Sequence, residues 1–92
     1  MELRKVLSGL DNLKAKGNLE QEIIGIESNS KNVKNGYIFV AIKGFNVDGH
    51  DYIESAIENG AIAIAVEEGF DLKSVKFPKD MTIIMAPSTR EL

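Results

Sequence analysis

Residues 37–66 read YIFVAIKGFNVDGHDYIESAIENGAIAIAV, and this stretch decides the fold. Tyr37-Ile-Phe-Val-Ala-Ile42 is almost wholly apolar and predicts a strand. Lys43-Gly-Phe-Asn-Val-Asp-Gly49 predicts a loop. Asp51–Gly60 predicts a short helix whose inner face is Ile53, Ala56 and Ile57. Asp48 or Asp51 is placed to cap its start, and Gly60 suits the position just past its end. Ala61-Ile-Ala-Ile-Ala-Val66 alternates small and large apolar residues, which predicts a strand covered on both faces. Strand, helix and strand in succession predict a right-handed β-α-β unit with its strands parallel.

The flanks extend this unit. Ile23, Ile24 and Ile26 form a β-branched run, and Gly25 within it predicts a bulge or a close neighbouring backbone. The polar stretch Ser28–Gly36 ends in Asn35-Gly36, a strong turn signal. Leu3, Val6, Leu7, Leu10 and Leu13 fall at helical spacing and predict a helix over about residues 2–15. Gly17, after Lys14 and Lys16, suits the stop of that helix. Downstream, Glu67–Asp80 predicts a loop with a turn near Leu72–Val75, and Met81-Thr-Ile-Ile-Met85 a last strand. The predicted class is α/β: a small, mostly parallel or mixed sheet of about four strands flanked by at least two helices. Residues 1–92 fit a single domain. Ser88-x-x-Glu91 is a capping-box signature with one residue after it, which predicts a chain ending at a domain boundary.

Composition narrows the chemistry. Eleven Lys+Arg against 14 Asp+Glu leave a net charge of −3, which disfavours a duplex-nucleic-acid partner. With no cysteine there is no thiol nucleophile, disulfide framework or Cys-ligated zinc. The apolar run Ala61–Val66 falls far short of the roughly 20 residues of a membrane helix, and Met1-Glu-Leu-Arg-Lys leads into no signal-peptide core. The expected compartment is the cytoplasm.

No phosphate-cradling G-x-x-x-x-G-K-[ST] and no dinucleotide-binding G-x-G-x-x-G is present. A Ser–His–Asp triad would need His50 as its base with Ser28 or Ser30 as nucleophile, and neither serine sits in a G-x-S-x-G elbow. The plainer reading of His50 is a surface residue near a helix start. Glu67-Glu68 reads as a pair of solvated charges, and Asp48 and Asp51 as servants of the helix N-terminus.

What remains is a binding surface. The loops Ser28–Asn35 and Lys43–Gly49 each adjoin a strand end, where open α/β sheets hold ligands. If extended geometry continues through them, Ser28 and Ser30 point to one face and Asn29 to the other. Gly44 and Gly49 let backbone N–H groups approach a ligand, and Phe45 can lie against a flat ring. The competing reading gives the serines to turn capping, the glycines to backbone geometry and Phe45 to the core.

Asn29-Ser30-Lys31, Val33, Gly36, Ile38-Phe39-Val40-Ala41, Gly44, Asp48-Gly49, His50, Tyr52-Ile53, Ala56 and Gly60-Ala61 form an ordered set. In that order they resemble the N-terminal domain of the Mur ligases, most closely the branch that adds the third residue of the peptidoglycan stem. The resemblance implies a first domain that binds the UDP end of UDP-N-acetylmuramoyl-dipeptide. It implies a second domain that uses ATP and magnesium to activate the substrate carboxylate, and a third that holds the incoming amino acid. Only the first matches this chain, so the fragment alone is expected to be inactive, with no cofactor of its own and no nucleic-acid or membrane partner. Carried over position by position, the uridine contacts fall on Ser28 and Ser30 and on Phe45, Asn46 and Val47, with Lys31, Gly44, Asp48 and Gly49 beside them. Phe45-Asn46-Val47 departs from the commoner His-Gln-Ala triplet. Asn29-Ser30-Lys31 departs from Asp-Ser-Arg and gives up an acid–base pair able to lock the loop. Three alternatives stand beside this reading: the related ligase that adds D-Ala-D-Ala, a non-enzymatic interaction domain, and a small hydrolase using His50.

Overall fold

The computed structural model describes residues 3, 14–18, 20–42, 48–79 and 81–87. One mixed sheet is built from β1 Lys14–Lys16, β2 Gly25–Glu27, β3 Tyr37–Val40, β4 Ala63–Glu67 and β5 Thr82–Ala86. Its order is β1-β5-β4-β3-β2. Strands β2 to β5 are parallel, with Ile26 beside Ile38, Phe39 beside Ile64 and Ile64 beside Ile83. Strand β1 runs antiparallel to β5, Ala15 opposite Ile84. A 3-10 turn at Gly49–Tyr52 leads into helix α1, Ile53–Glu58, which returns the chain from β3 to β4. The expected α/β class and parallel β-α-β pairing are therefore present, with five strands rather than four.

The fifth strand corrects the first predicted helix. Lys14–Lys16 belong to β1, not to a helical last turn. The apolar stripe ends at Leu13, and pairing with Ile83–Met85 satisfies the backbone of Lys-Ala-Lys while both lysines stay exposed at the sheet edge. Leu3 is buried, and the rest of the predicted helix, residues 2 and 4–13, lies outside the described residues. So does the capping box at residues 88–91. Around Gly25 the register is unbroken and there is no bulge. The close neighbour is the Tyr37 ring, whose Cζ would lie 2.7 Å from an added Cβ.

Alternation along the strands divides the core into two faces. Phe39, Ile64, Val66 and Ile83 pack with Ile53 and Ala56 of α1 on one. Ile38, Val40, Ala63, Ala65 and Ile84 pack with Ile23 and Leu3 on the other. Strand β4 is thus covered on both sides, as its apolar run predicts. It starts at Ala63 because the Ala61 N–H still donates to the Ala56 carbonyl and finishes the helix end. Gly60, at φ +114°, makes that exit. An added Cβ there would meet the Asn35 backbone, with both N and Cα at 2.7 Å. The parallel arrangement brings the carboxyl ends of β2 and β3 side by side, and the chain leaving them shapes the candidate site.

Candidate functional site

Beyond β2 the chain does not stay extended. The Glu27 carboxylate accepts the N–H groups of Ser28 and Asn29, both at 3.0 Å. Asn29 Oδ1 accepts the Lys31 N–H at 3.0 Å and caps a 3-10 turn at Ser30–Asn32. From the end of α1, Asn59 Nδ2 donates to the Ser30 carbonyl at 2.7 Å. These bonds hold the loop in place of the acid–base pair that the resemblance leads one to expect. They also correct the two-face expectation: the turn buries Ser30 and leaves Ser28 exposed, and Asn29 faces the same cleft.

That cleft, about 370 Å³, is lined by Ser28, Asn29, Ser30, Lys31, Ile42, Gly49 and Tyr52. Ser30 is only 7% exposed, yet its hydroxyl makes no hydrogen bond to any described residue and stays open to the cleft. Tyr52 is 43% exposed and presents an aromatic wall. Gly49 forms another wall, pressed against the exit of β3. Its N–H donates to the Ile42 carbonyl at 2.8 Å, and an added Cβ would lie 2.6 Å from the Ile42 nitrogen. A residue with a side chain does not fit there without moving that backbone.

Asp48 and His50 adjoin this wall. Asp48 Oδ1 accepts the His50 N–H at 2.9 Å and caps the Gly49–Tyr52 turn, whereas helix α1 itself starts after Tyr52 with no side-chain cap from Asp48 or Asp51. The same oxygen lies 2.6 Å from His50 Nδ1. The Glu67 N–H donates to His50 Nε2 at 3.1 Å. A peptide N–H only donates, so Nε2 is an acceptor and the proton sits on Nδ1, facing Asp48; the tautomer is assigned from these partners. The ring is 7% exposed and its centroid lies 4.6 Å from that of Phe70. His50 is therefore a buried, doubly engaged residue, which corrects the surface reading. With both nitrogens committed to Asp48 and Glu67, it is not the base of a serine nucleophile. A second cavity of about 260 Å³ lies here, lined by Asp48, His50, Glu67, Glu68, Gly69 and Phe70. Glu68 forms a largely exposed pair with Lys14 at 3.7 Å, and no group of three or more potential metal ligands occurs among the described residues.

Of the residues singled out in the sequence, Ser28, Ser30, Lys31 and Gly49 come together in one cleft, while Asp48 lines the second cavity. Gly44, Phe45, Asn46 and Val47 lie outside the described residues. Asn29, Ile42 and Tyr52 are additions. Tyr52 carries a signal in His50-x-Tyr52-Ile53, which places an aromatic one turn from Gly49.

The family model for the Mur ligase family, catalytic domain, matches residues 22–90. The chain belongs to the Mur ligase family. It is 41% identical over 91 residues to the UDP-N-acetylmuramoyl-L-alanyl-D-glutamate–2,6-diaminopimelate ligase of Clostridium tetani, covering 99% of this chain and 18% of that protein. It is 46% identical over 70 residues to the second such ligase of Clostridium acetobutylicum, covering 76% of this chain and 14% of that one. Among solved structures, the MurF ligase of Thermotoga maritima in complex with ADP superimposes with a TM-score of 0.57 at 38% identity. That match covers 72% of this chain and 14% of the ligase. The UDP-N-acetylmuramoylalanyl-D-glutamyl-2,6-diaminopimelate–D-alanyl-D-alanyl ligase of Acinetobacter baumannii shares the fold, with a TM-score of 0.60 at 22% identity over 78% of this chain and 15% of that one. The chain thus spans less than a fifth of the length of these relatives. Among the described residues no helix is long and apolar enough to cross a membrane.

Proposed function

We propose that this chain is the substrate-recognition part of an ATP-dependent Mur ligase, and that its cleft receives the uridine end of UDP-N-acetylmuramoyl-dipeptide. The observation that carries the reading is Ser30: a hydroxyl on a residue 7% exposed, unpartnered among the described residues, at the wall of a cleft. The hydroxyl is open to the cleft and no bond within the described fold uses it, so both its donor and its acceptor are available to a ligand. Tyr52 offers a face for a planar base. Lys31 brings a cation to the same cleft, suited to an anionic nucleotide.

The chain's own contribution is binding and orientation. The turn at Ser30–Asn32 and the wall at Gly49 fix one end of a long substrate, so that its distant carboxylate is presented to groups elsewhere in the enzyme. ATP and magnesium act in a further domain in this account. Addition of the third stem residue is favoured by the relatives named as ligases of UDP-N-acetylmuramoyl-L-alanyl-D-glutamate. The second reading, a MurF-type ligase acting on a longer peptide, is favoured by the T. maritima likeness. The two share the uridine end and differ in the peptide, so whole-enzyme turnover with dipeptide against tripeptide nucleotide separates them.

The test of recognition is equilibrium binding of UDP and ADP to the chain. UDP binding detectably, with ADP weaker by at least about tenfold (about 1.4 kcal/mol), supports the reading; equal binding of the two contradicts it.

A further inference from the structure

His50 ties together two segments distant in sequence. Through Nδ1 it holds Asp48 at 2.6 Å, and through Nε2 it receives the N–H of Glu67 at the exit of β4, at 3.1 Å. Between Asp48 and His50 stands Gly49, whose backbone forms a cleft wall and whose N–H is bound to Ile42 at 2.8 Å. The ring is buried under Phe70, where water competes little for these bonds. The cleft wall is therefore anchored on one side to Ile42, just past β3, and on the other, through His50, to the end of β4.

We propose that His50 is a positioning residue for the cleft: as its neutral Nδ1–H tautomer it fixes the Gly49 wall to β4, and nucleotide affinity depends on that tie. The inference rests on the reading of the cleft as a uridine-nucleotide site. Protonation of the ring would set an N–H of the imidazolium against the N–H of Glu67. That bond must then break, while the contact to Asp48 gains charge assistance. The titratable groups around the ring, among the described residues, are Asp48 and Asp51 on its own turn and Glu67 and Glu68 at the end of β4, with Lys14 of β1 beside Glu68. Loss of the Glu67 bond frees the wall from β4, so a protonated ring loosens it.

Two substitutions separate the halves of the bridge. His50→Asn retains a donor for Asp48 and supplies nothing at the Nε2 position. His50→Gln extends a carbonyl that can accept the Glu67 N–H. The experiment records imidazole and amide shifts of isotopically labelled chain, and titrates UDP across pH into the wild type and both variants. The expected results are an Nδ1–H ring, UDP binding weakened about fivefold in His50→Asn, the worth of one neutral hydrogen bond, and His50→Gln within about twofold of wild type. The ratio of wild-type to His50→Gln affinity falls as the His50 ring protonates; ionisation of UDP itself cancels in that ratio.

An Nε2–H ring, or His50→Asn binding UDP as the wild type does, overturns the proposal. If His50→Asn does not fold, parallel pH profiles for wild type and His50→Gln overturn it. If the wild type shows no cleft response to UDP, the functional reading fails first. The Gly49 and Glu67 amide shifts then judge the tie alone, and amides that stay fixed while His50 protonates overturn it.

Discussion

Replacing Ser30 by alanine separates binding from stability. In the free chain the Ser30 hydroxyl has no hydrogen bond to any described residue, although the residue is 7% exposed. Its removal therefore breaks no bond in the folded protein, and the anchoring contact is untouched because Asn59 binds the Ser30 backbone carbonyl. The hydroxyl is open to the cleft rather than buried without a partner, so stability should stay within about 0.5 kcal/mol. Binding should fall. A neutral hydrogen bond is worth about 1 kcal/mol net, which makes the dissociation constant for UDP about fivefold larger. Urea denaturation of the free chain and an NMR titration with UDP measure the two quantities on one sample. A stability loss above about 1 kcal/mol would show that the hydroxyl is already used within the fold, and an unchanged dissociation constant would remove Ser30 from the contacts.

Other substitutions probe the rest of the cleft and its supports. Tyr52→Ala should weaken UDP binding by about 1–3 kcal/mol, the usual worth of a base stacked on an aromatic ring, while Tyr52→Phe stays near wild type; titration of both checks it. Asn59→Ala removes the 2.7 Å bond to the Ser30 carbonyl. It should cost about 1 kcal/mol of stability by urea unfolding and weaken UDP binding although Asn59 does not line the cleft. Gly60→Ala forces a side chain onto φ +114° and against the Asn35 backbone. A loss of at least about 2 kcal/mol is expected from its denaturation midpoint.

Much of this molecule is legible in its residues because the core strands state their own environment. Ala61–Val66 is apolar at every position, and β4 proves to be covered on both faces. Asn35-Gly36 marks the turn before β3, and Gly36 sits at φ +87°. What escaped has nonlocal causes. Lys-Ala-Lys becomes strand β1 through pairing with Ile83–Met85 of β5, near the other end of the sequence, and no local pattern carries that information. Ser28 and Ser30 share the cleft, as their spacing suggests, but by way of a 3-10 turn capped by Asn29 rather than by strand alternation. His50 reads as an ordinary polar residue until β4 brings the Glu67 N–H to its ring. Tyr52 joins the cleft only because the Gly49–Tyr52 turn bends it back toward the end of β2.

The central claim, that the cleft recognises the uridine end of a nucleotide-sugar peptide, is tested most directly by amide-shift mapping. The labelled chain is titrated with UDP and then with UDP-N-acetylmuramoyl-dipeptide, to millimolar ligand, where a dissociation constant corresponds to about −4 kcal/mol. The account predicts saturable shifts centred on Ser28–Lys31, Ile42, Gly49 and Tyr52, the same for both ligands. Saturable shifts centred elsewhere, or flat spectra at these residues with both ligands, would contradict it.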